Sequence, residues 1–67
     1  MEPFKQYERV GLVTDRYESE GAGRGMIGFI IDIYNGEAFE VEFCRSDGVT
    51  VAQIVATESE LERHPEP

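Results

Sequence analysis

The chain has one cysteine and one histidine among its 67 residues, and only six lysines and arginines. A single cysteine, Cys44, leaves no intramolecular disulfide to form, and one Cys with one His cannot supply the ligand spacing of a zinc site. The longest apolar run, Met26–Ile31, is broken by Gly28 and is far too short to cross a bilayer. Met1–Gln6 lacks the apolar core of a signal peptide. No stretch of helical length shows a 3.6-residue hydrophobic period. These absences argue against a disulfide scaffold, a membrane-spanning helix and a helical bundle. A lone cysteine with no signal-like start fits the reducing cytoplasm, which is the expected location.

What is present is short and acidic. Fourteen Asp and Glu against six Lys and Arg give a formal charge of −8. A surface of that sign repels phosphate backbones and anionic membranes. It serves solubility, or it meets a basic partner. A chain of this length is near the lower limit for burying a core without staples, so one domain of modest stability is expected over residues 1–67. The ends, 1–6 and 62–67, are expected to be loosely ordered.

Four segments read as strands: Arg9–Thr14, Met26–Ile33, Phe39–Phe43 and Val49–Val55. Each is rich in β-branched or aromatic residues and bounded by turn residues. Phe39, Val41 and Phe43 alternate with Glu40 and Glu42, which predicts one core face and one wet, acidic face. The preceding segment places Ile27, Phe29, Ile31 and Ile33 on one face, with Gly28, Ile30 and Asp32 on the other. Tyr34-Asn35-Gly36 links the two. A two-residue turn would set Phe29 against Glu42, mixing the faces. A three-residue loop with Gly36 as a left-handed bulge pairs Ile31 with Phe39 and Phe29 with Val41, and is the expected form. Asp47-Gly48 marks the next hairpin.

In the fourth segment Val49, Val51, Gln53 and Val55 share one face, and Ala52, Ile54 and Ala56 the other. Both are mostly apolar, which suits a strand covered on one side and shared with a neighbour or partner on the other. Thr57-x-x-Glu60 has the spacing of a capping box and predicts one 3-10-like turn. His64-Pro65-Glu66-Pro67 reads as a frayed tail. A meander this short must curl to bury both ends of its sheet, and Gly28 is the natural bend. The predicted fold is all-β: a small, partly open barrel of four to five antiparallel strands with one short C-terminal helical turn.

Gly23-Arg24-Gly25-Met26-Ile27-Gly28 matches G-x-G-x-x-G in letters alone. The dinucleotide fingerprint must follow a strand and open a helix. Here the glycines precede a strand, so they read as hinges of a loop. The spacing Gly21-x-x-x-Gly25-x-x-Gly28-x-Ile30, after a strand ending near Thr14-Asp15, resembles the KOW motif of SH3-like barrels. That resemblance implies an SH3-like fold. KOW domains that bind RNA carry Lys and Arg in this loop, whereas this loop holds Glu18 and Glu20 beside Arg16 and Arg24. Nucleic acid is therefore not the expected ligand, although three Tyr and four Phe offer stacking surfaces.

Over nearly its whole length the chain also resembles a family of short bacterial proteins known only as domain of unknown function 4926. The likeness lies in Val13-Thr14-Asp15, Gly25–Ile30, Tyr34-Asn35-Gly36-Glu37-Ala38-Phe39-Glu40-Val41-Glu42-Phe43, and Asp47–Ala52. Members tend to be Leu-rich where this chain has Ile54-Val55-Ala56-Thr57. The resemblance implies an SH3-like fold and no assigned catalytic residues. Proteins of this kind are similar in size and acidity to antitoxin and immunity proteins.

Candidate chemistry is sparse. His64 sits in the tail, where nothing fixes its geometry. Cys44 ends a strand beside Arg45; as a strand-end residue it reads as a small hydrophobe. Glu40 and Glu42 share a strand face with Asp32 near them across the hairpin. They read as a solvated face, a partner-binding patch, or a cation or acid–base pair. The resulting expectation is a non-enzymatic protein-binding module without cofactor or metal. It presents Asp32, Tyr34, Glu37, Glu40 and Glu42 to a basic protein partner, encoded nearby in the antitoxin or immunity case. The alternatives are a structural subunit that oligomerises through its sheet edges and a KOW-like nucleic-acid binder.

Overall fold

A computed structural model describes residues 3–65. The chain runs through β1 (Arg9–Leu12), a 3-10 turn (Glu18–Glu20), β2 (Ile27–Tyr34), β3 (Ala38–Cys44), β4 (Thr50–Thr57), a second 3-10 turn (Glu58–Glu60) and β5 (Leu61–Arg63). All the pairings are antiparallel, in one open five-stranded sheet of order β4-β3-β2-β1-β5. The all-β expectation of four to five antiparallel strands holds. The capping box at Thr57 and Glu60 forms at the second 3-10 turn, as expected.

Both hairpin turns lie where Asn-Gly and Asp-Gly stand. Asn35 and Gly36 adopt positive φ of 55° and 69°, and the Glu37 N–H donates to the Tyr34 carbonyl at 3.0 Å. Gly48, at φ 88°, supports the second turn.

The register of β2 differs from the sequence expectation. Ile33 faces Phe39 and Asp32 faces Glu40, then the ladder shifts so that Ile30 faces Val41 and Phe29 faces Glu42. The three-residue loop with a left-handed Gly36 forms as expected, but a bulge at Ile31 exchanges the faces of the strand's first half. Ile30 is fully buried while Phe29 is 45% exposed. The reason is complementarity with β3, where Val41 and Phe43 must both point inward. Gly28, expected as the bend, stands at a close approach of β2 to β3. Its place on the buried face leaves room for the Phe43 ring, since a Cβ there would come within 2.8 Å of Phe43 Cδ1 and 2.6 Å of the Glu42 carbonyl.

Phe39, Phe43, Leu12, Ile30, Val10 and Val41 form the fully buried centre. Ala52, Ile54 and Ala56 give β4 its inner face. Each such large side chain stabilises the fold by about 1.5–3 kcal/mol through removal from water.

The ends expected to be loose are held where they are described. Phe4 packs edge-on against Phe39 with ring centroids 5.5 Å apart, and the Arg63 guanidinium lies 4.8 Å from the Phe4 ring centre. Glu62 and Arg63 pair with β1. The His64 N–H donates to the Arg9 carbonyl at 3.1 Å, so even the start of the tail is fixed at its backbone. The expected looseness at 1–2 and 66–67 lies outside the described residues.

Candidate functional site

Three rows of facing residues cross the outer side of β2, β3 and β4. Phe29 faces Glu42, which faces Gln53; Asp32 faces Glu40, which faces Val55; Tyr34 faces Ala38, which faces Thr57. Val51, two residues before Gln53, joins the same side. Phe29, Tyr34, Val51 and Val55 are all exposed, between 41% and 50%. The outer side is thus a mixed surface in which carboxylates alternate with apolar groups.

Glu40 lies at its centre. The Tyr34 hydroxyl donates to Glu40 Oε1 and Gln53 Nε2 donates to Oε2, so both carboxylate oxygens are engaged from the two neighbouring strands. The bond from Tyr34, reinforced by that from Gln53, outweighs desolvation and holds the Glu40 carboxyl below its usual range. Reciprocally, donation to Glu40 pushes the Tyr34 hydroxyl up to about 12, with help from burial and the charges of Glu40 and Asp32. Glu42 accepts from Thr50 Oγ1 at 2.9 Å. Asp32 accepts its neighbour's backbone N–H, from Ile33, at 2.9 Å.

Of the expected binding residues, the sheet brings together Asp32, Tyr34, Glu40 and Glu42. Glu37 sits apart, exposed in the hairpin loop beside Tyr34. Phe29 was missed, because the sequence reading turned it inward; only the bulge at Ile31 reveals it. Cys44 is exposed at the end of β3, not packed as a small hydrophobe, because alternation along the strand turns it away from the side that buries Phe43. Its neighbour Arg45 instead pairs with Asp47 at 2.8 Å.

A second polar cluster lies at the far border of β4. The Tyr17 hydroxyl is 2.8 Å from Glu60 Oε1 and 3.0 Å from the Val55 carbonyl. Glu60 also accepts the Thr57 N–H at 2.9 Å and Arg16 Nη1 at 3.2 Å. Burial, then the bond to Glu60 and its charge, raise the Tyr17 pKa. Thr57-x-x-Glu60 was legible as a cap, but no local signal tied it to Tyr17. In the loop before β2, Arg24 reaches both oxygens of Asp15, at 3.1 and 3.2 Å.

Among the described residues no group of three or more His, Cys, Asp or Glu is placed to hold a metal ion. No helix among them is long and apolar enough to cross a membrane. No curated protein and no solved structure matches the chain. Residues 6–63 match the family described as Domain of unknown function (DUF4926), and the chain belongs to that family.

Proposed function

We propose that this chain is a non-enzymatic protein-binding module that docks a basic partner on the outer face of β2, β3 and β4. One observation carries the reading: Asp32, Glu40 and Glu42 are interleaved on a single face with the exposed Phe29, Tyr34, Val51 and Val55. A face serving only solubility has no use for four exposed apolar side chains. Aromatic and aliphatic groups supply the buried anchors of an interface, and the carboxylates steer and select a cationic partner.

Two features of the face favour a charged partner. Asp32 stands directly opposite Glu40, a like-charge pair that destabilises a ladder and that a partner cation relieves. Glu40 is already held by Tyr34 and Gln53, so less side-chain freedom is lost on binding. The carboxylates lie on an open sheet rather than in a cleft that would set two pKa values apart, which favours binding over acid–base catalysis. Arg16 and Arg24 in the glycine-rich loop are engaged with Glu60 and Asp15, which speaks against a nucleic-acid track there.

The form of this function we favour is an antitoxin- or immunity-type inhibitor whose acidic face stands in for the anionic substrate of a basic enzyme. The cytoplasm suits its single exposed thiol. The test is light scattering behind size exclusion with the product of the adjacent gene, at low and high salt. A complex that weakens with salt and is lost in Glu40→Lys and Phe29→Asp supports the reading. Failure to bind a basic neighbour, or a complex untouched by salt and by both substitutions, refutes it.

A further inference from the structure

Among the described residues β4 is the one strand without a charged residue: Thr50-Val51-Ala52-Gln53-Ile54-Val55-Ala56-Thr57, in a chain that is 30% charged. It contains no Pro or Gly, and it stands at the end of the sheet. An eight-residue edge of this composition is a template for another strand. Proteins usually blunt such an edge with a Lys, a Pro or an inward charge. Here the strand carries no such device.

The protection comes from elsewhere in the chain. In an antiparallel ladder alternate residues turn their N–H and C=O away from the partner strand. Thr57 and Val55 do so here, because the Thr57 N–H donates to Glu60 Oε1 at 2.9 Å and the Val55 carbonyl accepts from the Tyr17 hydroxyl at 3.0 Å. Further along the same edge, Gly21 lies so near the Val51 carbonyl that a Cβ would come within 3.2 Å of it. Gly21 has a positive φ of 90°. The segment Asp15–Gly25, which brings Tyr17 and Gly21 to this edge, is pinned at several points. Arg24 and Asp15 pair at its neck, Arg16 grips Glu60, and Tyr17 and Ala22 are buried in the core.

We infer that Asp15–Gly25 is a strap that closes the β4 edge against strand addition, and that β4 pairs antiparallel with β4 of a second copy of this chain when the strap is released. A second copy fits this edge for two reasons. Two uncharged strands can lie side by side without the repulsion that the rest of a −8 chain would impose. The pairing is also two-fold and self-limiting. Each copy uses its long edge, and the opposite edge is the short β5, of three residues.

The experiment is light scattering over a range of concentrations on the full chain carrying Tyr17→Phe and Glu60→Gln. The unsubstituted protein is expected to stay at the 7.6 kDa monomer mass, and the variant to shift towards twice that mass as concentration rises. Adding Val55→Pro removes an outward N–H while leaving the ladder to β3, and is expected to restore the monomer. Amide exchange at Gln53 and Val55 is expected to slow in the dimer. A folded double variant that stays monomeric overturns the inference, and so does a dimer indifferent to Val55→Pro. If Tyr17→Phe unfolds the chain, Glu60→Gln with Arg16→Ala keeps the Tyr17 ring in the core and decides the matter by the same two outcomes.

Discussion

The Tyr17 hydroxyl meets the Glu60 carboxylate at 2.8 Å although the two residues are 43 positions apart in the chain. That contact joins the loop between β1 and β2 to the turn between β4 and β5, and it does so at the border of the sheet. Because the hydroxyl also reaches the Val55 carbonyl, one side chain satisfies polar groups from two elements.

Removing only that hydroxyl tests its worth. Tyr17→Phe keeps the buried ring and deletes a bond to a charged acceptor, so a loss of about 1–3 kcal/mol is expected. The midpoint of urea unfolding should fall with little change in slope. An unchanged midpoint would show that the cluster contributes nothing to stability.

Glu60 makes the stability acid-sensitive. Burial pushes its carboxyl up, but the bonds from Thr57, Tyr17 and Arg16 outweigh burial and hold it below its ordinary 4.5. A carboxyl with a lowered folded pKa stabilises fully above its unfolded pKa, and that contribution is lost as pH falls through the lowered value. Glu60→Gln is therefore expected to be less stable than the parent at neutral pH, with the gap closing in acid. Parallel unfolding curves across that range would contradict the assignment.

At the alkaline end the relevant group is Tyr34. Its hydroxyl, bonded to Glu40, is pushed up to about 12. A phenol with a raised folded pKa contributes stability that is intact below its unfolded value and lost as pH rises through the folded one. Absorbance titration of the phenols should show a step near 12 that disappears in Tyr34→Phe and shifts downward in Glu40→Gln.

The bulge at Ile31 sets opposite fates for adjacent residues. Ile30 is fully buried and Phe29 is 45% exposed. Ile30→Ala is expected to cost about 2–5 kcal/mol, as for a large aliphatic group removed from a core. Phe29→Ala should cost well under half as much. Equal costs in thermal unfolding would mean that the strand is not bulged there.

Gly28 tests the close approach of β2 and β3. A methyl at this position meets the Glu42 carbonyl at 2.6 Å, and backbone of the neighbouring strand cannot move aside cheaply. Gly28→Ala is expected to destabilise by about 1–3 kcal/mol. For a domain of this size that lowers the melting temperature by several degrees or more.

Local patterns made much of the fold legible. Asn35-Gly36 and Asp47-Gly48 announced the turns because left-handed backbone favours Asn35, Gly36 and Gly48, and the Asp47 side chain accepts the Val49 N–H two residues on. Phe39, Val41 and Phe43 announced an inward face because Glu40 and Glu42 could not share it. In β2 the same reasoning failed, since Ile27, Phe29, Ile30, Ile31 and Ile33 supply apolar groups to both sides. Alternation carries no direction when both faces are apolar, so packing against β3 chose the direction and placed the bulge.

The candidate site divides along the same line. The amino-acid sequence by itself determined the carboxylates of the outer face, the Thr57–Glu60 cap and the absence of charge in β4, because these are properties of neighbours in the chain. Only the tertiary structure decided that Phe29 joins Glu42 and Gln53 on one surface, that Glu40 is held from both sides, and that Tyr17 closes the edge of β4. Those contacts link residues distant in the chain, and they form only when burial of a shared core aligns the strands that carry them.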